Sequence, residues 1–360
     1  MAGSVTVRDL AEYLGISRTT VSLGLRNHPG VSKATQLRIH QAAAELGYQK
    51  NALVTALMTQ VRTRRIEYHG EAIAFLTALN EEFYWKKQSQ GEVFEGAREM
   101  AEKLGFRLEP CWLGPMGVDS RKASRILRAR GVCGLLLSYM PSGLLELDLD
   151  WDRYPVVATG YSFRQKIPHR VAANQSSTVG VCFEKLYNLG YRRIGLAMAV
   201  QANERVNRYW VSSYLGTQWH WKCPRLEPFD AHGVPDREKF LKWVMREKPD
   251  AIMSSFWPDY SAEWLSEIGL TIPGDVGYAG LDVSPQDWGK IAGISQNHRL
   301  VGATAVMQLS DMIFRNVVGL PSHPMETTVG VEWKDGLTVR QQNSADPRSS
   351  TASRSRKRQS

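Results

Sequence analysis

The chain has 360 residues, of which 43% are hydrophobic and 22% are charged. This length and balance are typical of a protein with two or three folded units, and they exclude a wholly disordered chain. The most apolar stretch, 131–140, is about half the roughly 20 residues that a membrane span requires. Four widely separated cysteines without a CxxC pair, and an N-terminus without a secretory pattern, predict a cytoplasmic protein with free thiols.

The net charge of +9 is concentrated at the two ends of the chain. Residues 1–65 contain nine Lys and Arg against three Asp and Glu, and residues 340–360 contain six against one. A basic terminal segment joined to a nearly neutral body is typical of a polyanion-binding module attached to a domain with another task. The alternative at this point is that the basic ends are only solvated.

The first elements are predicted to be three short helices. Apolar residues at the spacing i, i+3, i+4 and i+7 predict a helix over 7–14, with Thr6 and Asp9 as a capping box. Gly15 provides a turn, and Ser17 can cap a second helix. A third helix follows Ser32 and ends at Gly47. The short connection between the first two helices predicts a helix-turn-helix, although three small helices also occur as a plain bundle.

The outward face of the second helix carries side chains suited to DNA. Arg18, Thr19, Ser22 and Arg26 offer guanidinium and hydroxyl groups, which bind phosphates and base edges in a major groove. This face therefore predicts a surface for duplex DNA.

From Val5 to Tyr48 the sequence reads VTVRDLAEYLGISRTTVSLGLRNHPGVSKATQLRIHQAAAELGY. It resembles, without a gap, the DNA-binding headpiece of the LacI/GalR family of bacterial transcriptional regulators. The resemblance implies that the second helix enters the major groove. The DNA-contacting side chains that we expect in the headpiece are Thr6, Ser17, Arg18, Thr19, Thr20, Ser22 and Arg26. Leu23 stands where several members carry a base-reading arginine, so the operator preference of a relative is not transferred.

Residues 51–58 are similar to the hinge helix of the same family. The resemblance implies that Asn51 caps this helix and that Leu57 wedges into the minor groove. Isolated helices need roughly 12–15 residues to be stable, so this one is expected to form only when two copies pack on DNA. The alternative is a linker helix whose leucine only packs against a neighbouring helix. Lys50 replaces the proline that often precedes the hinge, and Arg62 belongs to the basic segment that follows it.

From residue 70 onward, apolar strand-like runs alternate with helical patterns, which predicts parallel sheets covered by helices. About 270 residues are more natural as two lobes than as one sheet. Strands are predicted at 72–79, 107–112, 132–138, 155–159, 194–199, 251–255 and 276–281, and helices around 93–104, 120–130, 179–186, 240–245, 264–268 and 301–317.

The body also resembles the effector domain of the family, which has the fold of periplasmic sugar-binding proteins (type I). Four runs carry this resemblance: Leu189–Leu196, Ile272–Asp282, Ile294–Gly302 and Leu337–Arg340. The resemblance implies that the chain crosses between the lobes near 172, 295 and 327. The predicted organisation is an all-α headpiece at 1–50, a hinge and linker at 51–69, a two-lobed α/β effector and dimerisation domain at 70–340, and a disordered basic tail at 341–360.

Open α/β sheets bind ligands beyond the carboxyl ends of their strands. Aromatic rings around a few polar groups suit a sugar, although several of the eleven tryptophans must belong to the core. Phe256 and Trp257 replace the family's usual polar pair, and the register leaves open which of two arginines faces the ligand. The predicted effector-binding residues are Asn80, Glu82, Tyr139, Tyr161, Arg205, Arg208, Phe256, Trp257, Asp282 and Gln296.

The sequence contains no GxxxxGK[ST], GxGxxG, HExxH or GxSxG motif, and its histidines lack metal-ligand spacing. We therefore predict no enzymatic activity, no cofactor and no metal. The prediction is a homodimeric regulator that binds a pseudo-palindromic operator under the control of a small effector, most simply a sugar. Two alternatives remain: a nucleoid-like DNA-binding protein with a vestigial pocket, and a sugar receptor or enzyme with a basic extension.

Overall fold

The computed structural model describes residues 5–25, 30–48, 72–78, 82, 86, 89–113, 120–138, 149–163, 168–231, 235–255 and 258–342. The chain forms two compact units, Met1–Glu67 and Tyr68–Ser360. Within the described ranges, no helix combines the length and the apolar character that crossing a membrane requires.

The first unit contains the three predicted helices, α1 (Val7–Leu14), α2 (Arg18–Gly24) and α3 (Lys33–Glu45). Thr6 and Asp9 form the predicted capping box, in which the Thr6 N–H donates to Asp9 Oδ2 over 2.7 Å. Ser17 and Ser32 accept hydrogen bonds from the backbone N–H three residues on, so each N-terminus has a side-chain cap. Gly15 ends α1 at φ 64°, a left-handed conformation that favours glycine.

A small apolar core holds the three helices together. Leu10, Val21 and Ile39, one from each helix, have no exposed surface. Gly24, the last residue of α2, is also buried, and a Cβ at this position would come too close to Cδ1 of Ile39. Any larger residue there would therefore require the end of the Ile39 side chain to move.

The first lobe of the second unit, called lobe 1, contains a six-stranded sheet with the order β11-β5-β4-β3-β1-β2. All of its strand pairs are parallel. Helices α4 (Ser89–Lys103), α5 (Ser120–Ala129) and α11 (His298–Arg315) belong to this lobe. The strands are β1 (Ala72–Thr77), β2 (Arg107–Trp112), β3 (Val132–Leu137), β4 (Val156–Thr159), β5 (His169–Ala173) and β11 (Glu326–Val329).

The second lobe, lobe 2, contains a six-stranded sheet with the order β12-β10-β9-β8-β6-β7, in which only β12 runs antiparallel to its neighbour. Its strands are β6 (Ile194–Ala199), β7 (Phe229–Ala231), β8 (Ala251–Ser254), β9 (Gly277–Gly280), β10 (Gly293–Ser295) and β12 (Glu332–Lys334). Its helices are α6 (Gln175–Asn188), α7 (Val200–Arg205), α8 (Tyr209–Trp221), α9 (Arg237–Glu247) and α10 (Pro258–Glu267).

The chain crosses between the lobes three times, as expected from the resemblance. The crossovers follow β5, β10 and β11, so they lie within a few residues of the predicted positions. Hydrogen bonds tie them together: the Asn174 N–H donates to Val329 O over 2.9 Å, and Asn297 Nδ2 donates to Gly330 O over 2.8 Å. Asn297 directly precedes α11, and its side chain makes no capping hydrogen bond to that helix.

The predicted strands and helices of the body are confirmed, with bounds that differ by a few residues. Two helices were not predicted, α7 and α8. The α8 sequence is rich in aromatic, Ser and Thr residues, which are weak helix formers, and it has no clean apolar stripe. Gln342, inside the predicted tail, donates its N–H to Leu189 O over 2.7 Å, so the packed body extends beyond residue 340.

Candidate functional site

The start of α2 carries four of the predicted DNA-contacting residues, Ser17 to Thr20. Arg18 and Thr19 are solvent-exposed, and Ser22 is half-buried. Ser17 Oγ accepts from the Thr20 N–H over 3.0 Å and lies 2.8 Å from Thr20 Oγ1. Ser17 and Thr20 therefore hold the start of the helix in shape, whereas Arg18 and Thr19 present their side chains to solvent.

The second unit contains a cavity of about 600 Å³ between the two lobes. Residues at the carboxyl ends of strands from both sheets line it, including Thr159, Ala173 and Ser254. This location agrees with the rule for open α/β sheets, and the volume lies in the range of small-molecule sites.

A chain of buried amides forms one wall of the cavity. Trp210 Nε1 donates to Gln175 Oε1 over 2.8 Å, and Gln175 Nε2 donates to Gln296 Oε1 over 2.9 Å. Gln296 Nε2 then donates to the backbone oxygen of Leu281 over 2.9 Å. These bonds fix the orientation of Gln296, which was predicted to contact the effector, and they join the first crossover to the second.

Asp282 follows β9 at the cavity and is paired with a histidine. His298 Nε2 lies 2.8 Å from Oδ1 and 2.9 Å from Oδ2 of Asp282. Burial lowers the pKa of His298, but the charge and hydrogen bonds of Asp282 outweigh this effect, so the pKa of His298 is raised above its ordinary value. The sequence predicted Asp282 as an effector contact, and in the structure its carboxylate is paired with the imidazole of His298.

Tyr161 lines the cavity with a hydroxyl that already has an acceptor. It donates to Glu326 on β11, and the Arg170 guanidinium carbon lies 5.1 Å from the centre of the tyrosine ring. Burial and the bond to the carboxylate both raise the pKa of Tyr161. Tyr161 therefore remains neutral, and its hydroxyl donates its hydrogen bond to Glu326.

Four predicted effector-binding residues line the cavity: Tyr161, Arg205, Asp282 and Gln296. Arg205, at the end of α7, is the arginine that lines it, whereas Arg208 adopts φ 61° in the following turn and does not. Glu82 is exposed in a turn and is also outside the lining. The predicted positions outside the described residues are Arg26, Asn51, Leu57, Arg62, Asn80, Tyr139, Phe256 and Trp257.

Several polar residues that line the cavity were not predicted from the sequence, among them Lys86, Glu92, Gln175 and His298. Gln175 and His298 each begin a helix directly after a crossover. Crossover positions were predicted to within a few residues, so polar side chains beside them would have been the usable signal.

Comparison with known proteins agrees with this arrangement. Residues 6–51 match the family described as "Bacterial regulatory proteins, lacI family". The HTH-type transcriptional repressor PurR of Photobacterium profundum is 23% identical over 336 residues, which cover 86% of this chain and 92% of the relative. The HTH-type transcriptional regulator AglR of Rhizobium meliloti is 42% identical over 138 residues, 38% of this chain and 35% of that protein.

Solved structures share the fold. The Lac repressor dimer bound to operator and the anti-inducer ONPF aligns with a TM-score of 0.58 and 18% identity, covering 94% of this chain and all of that one. The complex of the transcriptional regulator CelR with cellobiose aligns with a TM-score of 0.57 and 18% identity, covering 93% and 99% of the two chains. These likenesses establish a periplasmic-binding-protein-like body behind the headpiece.

A helix-turn-helix headpiece followed by a two-lobed α/β body with a ligand-sized cavity defines a DNA-binding transcriptional regulator with a small-molecule effector. The family match in the headpiece, together with relatives that align over most of the chain and are described as transcriptional repressors, shows that this chain is similar to LacI-type regulators. The two relatives named above are described as a transcriptional repressor and a transcriptional regulator.

Proposed function

We propose that the protein is a homodimeric repressor in the cytoplasm that binds a pseudo-palindromic operator and is controlled by a sugar. Arg18 and Thr19 read base edges from α2, while Ser17, Thr20, Ser22 and Thr6 hold and anchor that helix. The DNA contacts expected of Arg26, Asn51 and Leu57 fall outside the described residues and stay predictions. The Lac repressor dimer and the CelR–cellobiose complex are precedents for these partners in the same fold.

The cavity between the lobes is the observation that carries the effector proposal. Both sheets and two crossovers contribute to the lining of the cavity, so a bound ligand contacts both lobes. It therefore changes the free-energy difference between the open and the closed arrangement of the lobes. A ligand shifts such an equilibrium by its difference in affinity for the two arrangements. In a dimer, this shift alters the spacing of the two hinge segments and hence operator affinity.

The chemistry of the cavity favours a neutral polyhydroxylated effector. Among the described lining residues, acidic Glu92, Asp282 and Asp287 are mixed with basic Lys86 and Arg205. This mixture suits hydroxyl groups, which both donate and accept, and it does not suit a multiply charged anion. Asp282, Gln296 and Arg205 are the proposed hydroxyl contacts, and Tyr161 supplies a ring surface.

Thermal unfolding of the full-length protein against a panel of neutral sugars tests this proposal. A ligand at about 100 times its Kd stabilises the folded state by about 2.7 kcal/mol, which raises Tm by several degrees. We expect at least one sugar to do so for the wild type, and Asp282→Asn to reduce the shift. Asp311→Asn, which changes an exposed carboxylate on α11 that pairs with Arg315, is the matched control.

Three other outcomes would contradict the proposal. A protein that gains no stability from any sugar but still binds DNA would support the alternative with a vestigial pocket. Stabilisation without specific DNA binding would support a sugar receptor with a basic extension. Stabilisation by a nucleotide or a sugar bisphosphate alone would refute the chemical class of the effector.

A further inference from the structure

The Asp282–His298 pair spans the cleft. Asp282 follows a strand of lobe 2, whereas His298 is the first residue of α11, which packs against α4 in lobe 1. Both residues line the cavity, and Nε2 of His298 is within 2.9 Å of each carboxylate oxygen. A nitrogen shared by both oxygens faces the carboxylate directly, so its charge acts on Asp282 at close range.

The charged groups around His298 favour its protonated form. Asp282 and Glu92, the latter on α4, are the acidic groups that act on it, and Arg205 on α7 opposes them. Without His298, the described lining contains three carboxylates and two basic side chains, so the imidazolium balances the charge. The exposed fraction is 20% for the His298 side chain and 39% for the Asp282 side chain, so water screens the pair in part.

We propose that His298 is a specificity-determining residue whose positive charge neutralises Asp282 and so makes the cavity reject cationic ligands, such as amino sugars, in favour of neutral polyols. This inference rests on the proposed effector function of the same cavity. Asp282 keeps lone pairs for hydroxyl groups, because a carboxylate accepts more than one hydrogen bond. An ammonium group would instead meet a carboxylate whose charge is already compensated and a second cation beside it.

Replacing His298 by glutamine separates charge from hydrogen bonding. The amide introduced by His298→Gln can still donate to Asp282, but it leaves the charge of the carboxylate uncompensated. The converse variant, Asp282→Asn, keeps the imidazole and removes the acid. The two variants should therefore change the preference between neutral and cationic ligands in opposite directions.

The test uses isothermal titration calorimetry at pH 6.0 with matched neutral and amino hexoses: glucose and glucosamine, galactose and galactosamine, mannose and mannosamine. The measured quantity is the ratio of the neutral to the cationic affinity. We expect His298→Gln to lower this ratio by about tenfold or more, and Asp282→Asn to raise it. His323→Gln, which changes an exposed histidine outside the lining, should keep the wild-type ratio.

An NMR titration of the ligand-free protein checks the pair itself: His298 should titrate at a higher pH in the wild type than in Asp282→Asn. Sugar binding with an unchanged ratio in both variants would overturn the role of His298 while leaving the proposed function intact. If neither these hexoses nor any sugar of the thermal-unfolding panel binds the wild type, the sugar-effector proposal fails, and the specificity proposal fails with it.

Discussion

Gln175 Nε2 donates a hydrogen bond to Gln296 Oε1 across 2.9 Å and thereby joins the first crossover to the second. Gln175 Oε1 simultaneously accepts from Trp210 on α8, so one side chain serves two partners. All three side chains are buried. Their hydrogen bonds therefore hold one wall of the cavity in a fixed arrangement.

Gln175→Leu is expected to destabilise the second unit by about 1–3 kcal/mol, because it leaves the buried Trp210 N–H and Gln296 oxygen without these partners. Trp210→Phe removes only the donor. Urea unfolding of both single variants and the double variant gives a coupling energy. Strictly additive effects would show that the two side chains do not share an interaction.

Gly302→Ala is expected to destabilise the protein by about 1–3 kcal/mol or more, because α4 and α11 pack with no room for a methyl group. A Cβ at Gly302 would lie 2.8 Å from the backbone carbon of Val93. Gly216→Ala in α8 is the matched control. Its Cβ meets nothing within 4 Å, so the better helix propensity of Ala should stabilise by about 0.5–1 kcal/mol. If thermal unfolding shows that both variants change the stability of the protein in the same direction, the packing argument is contradicted.

The stability contributed by His298 should depend on pH. Since its pKa is raised in the folded protein, the contribution is fully present below the ordinary pKa of about 6.5 and is lost as pH rises through the folded value. The Tm difference between wild type and His298→Gln should therefore shrink as the pH rises above the ordinary pKa of about 6.5 and through the folded value. A difference that does not change with pH would show that folding does not raise the pKa of His298.

Base reading by α2 is tested by site selection on randomised DNA. Arg18→Ala and Thr19→Ala should each relax preference at particular half-site positions, since one base contact contributes about 1–3 kcal/mol. Arg62→Ala, in the basic segment after the hinge, should weaken binding to all sequences about equally. Selection profiles of the Arg18 and Thr19 variants that match the wild type would remove base reading from this helix.

The sequence predicted the parts of this protein that local chemistry determines. Caps at Thr6, Ser17 and Ser32 and the buried strands followed from hydrogen-bonding groups and apolar periodicity. Gly24 shows what the sequence does not predict. From the sequence, this glycine is only an unfavourable residue for a helix, whereas in the structure Cδ1 of Ile39, from another helix, lies where the Cβ of a larger residue would be.

The position of the cavity could be predicted from the sequence, but only some of the residues that line it could. Asp282 and Gln296 were found because the ends of parallel strands converge and because they match the family. His298, Gln175 and Trp210 were missed because their roles depend on contacts over 16, 121 and 35 residues of sequence separation. Contacts between residues so far apart in sequence depend on the path of the chain through the crossovers, and a local sequence pattern does not predict that path.

The central claim is that a small molecule in the cleft controls operator binding, and fluorescence anisotropy measures this directly. Operator affinity is titrated for the full-length protein with and without the sugar that most stabilises it, and then for Asp282→Asn under the same conditions. We predict that the sugar changes wild-type affinity by about 5-fold or more and that Asp282→Asn binds the operator with little response. Equal wild-type affinity with and without a sugar that demonstrably binds would contradict the claim.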